Sequence, residues 1–239
     1  MPELILSCEH AGNEVPEHYR HLFHHEPEVL FTHRGLDIGA LELAQELEKE
    51  LKAPLYFHCI TRLLIEANRS QNTADHFSEF SRNLPPEAKQ EIVEEYYLPY
   101  RQKVTKAAAK TIAEKGSVIH LSVHSFTPEL NGEVRTADIG LLFDPNRQLE
   151  RLFCRLFTEE ILRLSPDLVV KDNYPYLGTA DGLTTHLRTL FPDERYAGVE
   201  LEVNQAYPES KENWQHVQAV LAAALKQTMQ RIGDDMNNA

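Results

Sequence analysis

Residues 117–126, SVIHLSVHSF, decide how the rest of the chain is read. Val118, Ile119, Leu121 and Val123 make the run apolar and rich in β-branched side chains, and Gly116 closes whatever precedes it, so the segment reads as a buried strand. Side chains alternate along a strand, which puts His120, Ser122 and His124 on one face. A polar stripe inside an apolar strand needs partners. His124, at the tip, is the better candidate for a metal ligand, and His120 reads as a satisfied interior histidine. Ser125 beside His124 also allows a serine nucleophile, but no GxSxG elbow surrounds it.

The segments on either side alternate between strand and helix. Towards the N-terminus, residues 4–7 read as a short buried strand. Residues 36–51 read as an amphipathic helix with Leu36, Ala40, Leu43, Ala44, Leu47 and Leu51 at helical spacing. Pro54 ends that helix, and LYFHCI (55–60) and RLLIEA (62–67) follow as strands. Pro85 and Pro86 open a helical region that runs to Lys115, with a kink expected at Pro99. Towards the C-terminus come a strand in ADIGLLFDP (137–145), a helix over 148–164 and an extended DLVVKDN (167–173). The last strand is YAGVELEVN (196–204); a helix from Lys211 to about Arg231 and a frayed tail, 233–239, close the chain. Residues 71–86 and 174–188 read as loops. This order predicts an α/β fold, a three-layer α/β/α sandwich with a mixed, mostly parallel sheet. The 239 residues suffice to build it as a single domain, 1–239.

Hydrophobic residues make up 42% and charged residues 26%, the balance of an ordinary globular enzyme, and the formal net charge is -13. That acidity argues against nucleic acid or an anionic membrane as the main partner. It leaves an anionic small molecule open, because a few arginines in a cleft outweigh the global charge locally. Cys8, Cys59 and Cys154 match no zinc-finger spacing, no basic-then-apolar leader is seen, and no apolar run is long enough to span a bilayer. A reduced, cytoplasmic protein is the expectation. Among the 12 histidines, His21, His24 and His25 read as surface residues.

In open α/β sheets ligands bind beyond the carboxyl ends of the strands, so the strand ends hold the candidates. ELILSCEHAGNEVPEH (3–18) leaves its strand at Cys8, Glu9 and His10, just before Gly12. A neutral imidazole there suits zinc, against the plainer reading of a turn histidine bonded to backbone. TRLLIEANRS (61–70) brackets its apolar run with Arg62 and Asn68-Arg69, and an arginine fork beside an amide suits a carboxylate. AGVELEVNQ (197–205) carries Glu200, Glu202 and Asn204 on one face, where a carboxylate near a metal is placed to take a proton from water. NYPYLGTADGLTTHLR (173–188), rich in Gly, Thr and aromatics, reads as a substrate-covering loop with Thr184 and His186 as candidate contacts. Asp37, in THRGLDIGA (32–40), opens a helix as either a dipole partner or an oxygen ligand.

Taken in order, HAG (10–12), GLDIGA (35–40), TRLLIEANRS, EEYYLPYRQKV (94–104), SVHSF (122–126), DIGLLFDP (138–145), GTADGLTTH (178–186) and ELEVNQAYPE (200–209) resemble the N-formylglutamate amidohydrolase family over most of the chain. That family is similar to the zinc carboxypeptidases, which hold zinc with two histidines and a carboxylate, bind a substrate carboxylate with an Asn-Arg pair and drive water onto the amide with a late-strand glutamate. The resemblance implies His10 and His124 as ligands, Asn68-Arg69 as the pair, Arg62 as a second cation and Glu202 as the proton acceptor. The carboxypeptidase pattern puts its acidic ligand three residues after the first histidine, and here that residue is Asn13. Members of the amidohydrolase family that resemble this chain carry an acid matching Asp37, so the resemblance favours Asp37 as third ligand, then Glu14, then Glu9. The implied activity is metal-dependent hydrolysis, with zinc as the expected ion and another divalent metal as the alternative, of an N-acyl amino acid such as N-formylglutamate, a small-molecule reaction without nucleic acid or membrane, which allows a homo-oligomer. The competing readings are a carboxypeptidase-like hydrolase of a small peptide and a metal- or ligand-binding relative without turnover.

Overall fold

The structure is a computed structural model that describes residues 2–71 and 73–237, the last three by backbone alone. Its elements run β1 (Glu3–Cys8), α1 (Ala40–Leu51), β2 (Leu55–Phe57), α2 (Pro86–Ile92), α3 (Leu98–Lys115) and β3 (Val118–Phe126). A small hairpin follows, β4 (Glu129–Leu130) and β5 (Glu133–Val134). Then come β6 (Ile139–Leu142), α4 (Gln148–Leu164), β7 (Val170–Asp172), α5 (Leu183–Leu190), β8 (Tyr196–Asn204) and α6 (Lys211–Asn237). A six-stranded sheet in the order β2-β1-β3-β8-β6-β7 forms the middle layer. Pairing is parallel from β2 through β1 and β3 to β8, antiparallel between β8 and β6, and parallel again to β7. The sheet is mixed and mostly parallel, as expected.

The alternation of side chains builds the layers. Leu6 and Cys8 of β1, Leu121 and Val123 of β3, and Val199, Leu201 and Val203 of β8 pack with Leu43 and Leu47 of α1, Phe153 and Phe157 of α4, and Val217 and Leu221 of α6. On the other face Ile5, Val118 and Tyr196 pack against Tyr100, Val104 and Ala108 of α3 and Leu183 and Leu187 of α5. This second face turns polar towards the carboxyl ends of the central strands. Ser7 pairs across the sheet with Ser122, Ser122 with Glu200, and His124 with Glu202. The chain leaves β1 for β2 on one side and returns to β3 on the other. The crossovers therefore part above the ends of β1 and β3, where an open sheet forms a crevice.

Several local expectations change. Residues 62–67 form turns rather than a strand: Leu64 and Ile65 both donate backbone N–H groups to the carbonyl of Thr61, and Arg69 to that of Glu66. The apolar side chains are buried in three directions: Leu64 and Ile65 against Ile92, Val93 and Tyr97, Leu63 against Phe23 and Val29, and Ala67 beneath the sheet with Ile5. The loop read over 174–188 gives way from Leu183 to the amphipathic helix α5, which buries Leu183 and Leu187. The first helix starts at Ala40, because Gly39 takes a left-handed conformation with φ +83 and a Cβ there would sit 2.7 Å from Pro208. The break near Pro99 takes the form of a π-helical turn, Val93–Tyr97, between α2 and α3. Helix α6 continues to Asn237 through most of the tail expected to fray, and residues 238–239 of that tail lie outside the described residues. Cys8, Cys59 and Cys154 are all unpaired. Among the described residues no helix is long and apolar enough to cross a membrane.

Candidate metal centre and its cleft

His10 lies two residues beyond β1, His124 near the end of β3, and Asp37 in the turn before α1. The backbone N–H of Asp37 donates to the carbonyl of His10, which ties that turn to the end of β1. Asp37 Oδ2 sits 3.1 Å from His10 Nδ1 and 2.8 Å from His124 Nδ1. The two rings meet edge to face with centroids 5.0 Å apart. One ligand atom from each of the three residues lies within 4.8 Å of the others, and all three residues are buried. Two imidazole nitrogens and one carboxylate oxygen are the donor set of a catalytic zinc site with room for a further ligand. A second observation fits an ion or water there: Glu202 Oε2 is buried without a hydrogen-bond partner. Burial pushes the Glu202 carboxyl up to about 7, against the pull of His124.

The site opens into a cleft of about 370 Å³ lined by His10, Asp37, His124, Glu202, Asn68, Arg69 and Arg62, with His33, Tyr176 and Gln205 on its walls. Asn68 Oδ1 accepts the N–H of Leu183 at the start of α5, 2.7 Å away, so its amide nitrogen is the end left for a ligand. Arg69 uses one nitrogen, Nη1, on the carbonyls of Asn68 and Asp181. Arg62 holds Glu66 Oε2 with Nε at 2.8 Å and Nη2 at 2.6 Å, and Asp37 Oδ1 with Nη1 at 3.1 Å.

The other sequence candidates fall elsewhere. Glu9 is buried beneath His124 and faces the far edge of its ring, 3.0 Å from Nε2. Glu14 bridges to Ile60 and lines a different cleft with Arg20 and His24. Thr184 donates to Glu200 Oε1 at 2.8 Å, and His186 lines a neighbouring cleft with Tyr97, Arg101 and Lys106. Neither lines the cleft above the two histidines. Ser125 donates its hydroxyl to the carbonyl of Ile38, and the facing nitrogen of His124 is turned to Asp37, so the pair has no nucleophile geometry. The residue that sequence reasoning missed is Glu66, whose carboxylate contacts His10 Nε2. Its spacing of four from Arg62, within the motif that also holds Asn68-Arg69, was the available signal.

Solved structures share this fold. The gene product Atu2144 from Agrobacterium tumefaciens superposes with a TM-score of 0.81 at 22% identity, over 97% of this chain and 92% of that one. The N-formylglutamate amidohydrolase from Ralstonia eutropha JMP134 gives 0.73 at 19% identity, over 98% and 96%. A bacteriophage poly-gamma-glutamate hydrolase gives 0.50 at 13% identity, over 98% and 86%. Among curated proteins none matches the sequence. The family model of N-formylglutamate amidohydrolase matches residues 2–207, a span that takes in both histidines, Asp37, the Asn68-Arg69 pair and Glu202, and the chain belongs to that family.

Proposed function

We propose that this chain is a zinc-dependent amidohydrolase that cleaves the amide bond of an N-acyl amino acid, with N-formylglutamate as the model substrate. The observation that carries the proposal is the orphaned Oε2 of Glu202, which lines the same cleft as the His10–Asp37–His124 cluster and the Asn68-Arg69 pair. The family and the likeness to the Ralstonia eutropha enzyme support the acyl group and the amino acid. A cleft of about 370 Å³ suits a molecule of that size.

His10, His124 and Asp37 would hold the metal, which when bound polarises the amide carbonyl and acidifies water towards neutral pH. The amide nitrogen of Asn68 and the free edge of the Arg69 guanidinium hold the substrate carboxylate, Arg69 with paired donors. Arg62 keeps its positive charge beside the reacting carbonyl, where it stabilises developing negative charge. Glu202 takes a proton from the attacking water on Oε2. The carbon–nitrogen bond breaks as that proton passes to the amine nitrogen, which leaves as the free amino acid beside the carboxylic acid. A carboxyl pushed up to about 7 is matched to both halves of that transfer.

The test is a panel of N-formyl-L-glutamate, N-acetyl-L-glutamate and dipeptides ending in glutamate, offered to zinc-supplied protein. Formate release from the formyl compound, well above release from the dipeptides, is expected. Preferred cleavage of dipeptides would make the chain a small-peptide hydrolase. Zinc uptake with no hydrolysis of any of them would make it a binding protein.

A further inference from the structure

Each imidazole of the cluster has a second nitrogen, and each of those meets a different buried carboxylate. His10 Nε2 contacts Glu66 Oε1, and His124 Nε2 lies 3.0 Å from Glu9 Oε2. We propose that Glu66 and Glu9 are the positioning residues of the metal centre: Glu66 accepts the Nε2–H of His10, Glu9 with Ser122 accepts that of His124, and both rings are left with Nδ1 as the ligand atom. The inference rests on the metal reading given above.

The proton positions follow from counting donors. Around Glu66, Arg62 donates twice to Oε2 and the N–H of Asn68 donates to Oε1 at 2.9 Å. An ionised carboxylate only accepts, so the His10 nitrogen that meets Oε1 must carry the hydrogen. Around Glu9, Tyr100 donates its hydroxyl to Oε1 at 2.6 Å, and Ser122 donates its hydroxyl to Oε2. Ser122 has then spent its only proton. Its oxygen, 2.9 Å from His124 Nε2, can only accept from that nitrogen. Both rings are thereby held in the form that offers Nδ1 to the cluster, the arrangement by which an outer carboxylate orients a ligating histidine.

The bracing is crossed. Glu9 precedes His10 in the turn after β1, yet its carboxylate meets His124 on the neighbouring strand β3, while His10 is served from the 66–69 turn. That turn also carries Asn68-Arg69, and the Asn68 N–H is fixed to Glu66 itself. Displacing Glu66 therefore disturbs the metal and the carboxylate clamp together, whereas displacing Glu9 disturbs the metal alone. The two glutamates also differ in tolerance. In Glu66→Gln, Arg62 claims the one amide oxygen and turns the NH2 towards His10, which forces Nε2 to become an acceptor and puts the proton on Nδ1. In Glu9→Gln, the Tyr100 and Ser122 hydroxyls can rotate to suit the amide.

The experiment measures zinc affinity by competition with a chromophoric chelator for the full-length native chain, Glu66→Gln, Glu9→Gln and the milder Tyr100→Phe. Ring-nitrogen NMR of the same proteins, with and without zinc, reads which nitrogen holds the proton, and KM is read with an N-formyl amino acid. Glu66→Gln is expected to bind zinc roughly ten- to a hundred-fold more weakly, the usual loss when an outer partner is removed. It should also lose the His10 Nε2–H signal and raise KM. Glu9→Gln should bind zinc less weakly than that, with KM unchanged, and Tyr100→Phe should follow it in the same direction. Native-like zinc affinity and Nε2–H signals in both glutamine variants would overturn the inference while leaving the metal centre standing. A native chain that takes up no zinc would overturn the metal reading and the inference with it.

Discussion

His124 and Glu202 stand directly opposite each other on the neighbouring parallel strands β3 and β8, both buried at the floor of the cleft. The sheet register, rather than a flexible loop, sets their separation. A strand end is a rigid place to hold a ligand and a proton acceptor side by side. On the other side of Glu202 the antiparallel strand β6 contributes Gly140, which has no side chain to intrude.

Glu202→Gln keeps the shape of the side chain and removes its ability to take a proton. Turnover should fall roughly a hundred- to ten-thousand-fold, the range for a positioned acid-base group, with zinc affinity close to native. Steady-state kinetics alongside a chelator competition check both halves. Near-native turnover would remove Glu202 from the mechanism.

Arg69 has one nitrogen committed to the carbonyls of Asn68 and Asp181, which fixes the guanidinium and leaves its remaining donors for an anion. Arg69→Lys keeps the charge and loses the fork, so it should raise KM for N-formylglutamate by about tenfold or more, one to two lost charge-assisted hydrogen bonds. The same substitution should change KM little for a formyl amine that has no carboxylate. Equal effects on both compounds would place Arg69 outside the substrate clamp.

His120 is buried between Ser7 Oγ at 2.7 Å and Tyr196 OH at 2.8 Å, and burial pulls its imidazole down from 6.5 to about 4. The unfolded chain binds a proton near pH 6.5 and the folded chain resists until about 4, so stability falls as pH drops through that window. At about 1.36 kcal/mol per unit the loss reaches roughly 3 kcal/mol. His58, pulled down to about 4 by burial, adds to it in the same direction. Denaturant unfolding of metal-free protein at pH 7.5 and 5 should show the part of this loss that falls above pH 5, about 2 kcal/mol, and His120→Asn should reduce it. An unchanged pH dependence in the variant would show that His120 titrates alike in both states.

A Cβ on Gly140 would lie 1.8 Å from the carbonyl oxygen of Tyr174 and 3.3 Å from Glu202 Cβ. Gly140→Ala must push the 174–176 segment outward, an overpacking cost of about 1–3 kcal/mol. Because Tyr176 lines the cleft, activity should fall beyond what the lowered melting temperature explains. A melting temperature within a degree of native would contradict this.

Much of this architecture can be read from spacing. In β3 and β8 the apolar residues alternate with polar ones, so His124 and Glu202 declare their face before any coordinates are known. The 62–67 segment misleads because an apolar run looks the same whether it is buried in a sheet or under loops, and contacts such as those of Leu64 and Ile65 with Ile92, Val93 and Tyr97 distinguish them. Helix α5 is short, and its threonines and glycine-rich approach resemble a loop until Leu183 and Leu187 are seen to dock. The roles of Glu9 and Glu66 were hidden for a different reason. The spacing of four from Arg62 marks Glu66 as a paired carboxylate, but the histidine that each glutamate meets lies far from it in the chain, at a separation that no local pattern encodes.

The most direct test of the account is a calorimetric titration of zinc into chelator-stripped protein, run on the native chain and on a variant carrying Asp37→Ala and His124→Ala. The native chain should take up about one ion per molecule with submicromolar affinity, as expected for two imidazoles and a carboxylate converging on one point, and the variant should take up none at that affinity. Equal uptake by both proteins, or no uptake by the native chain, would contradict a metal centre formed by His10, Asp37 and His124.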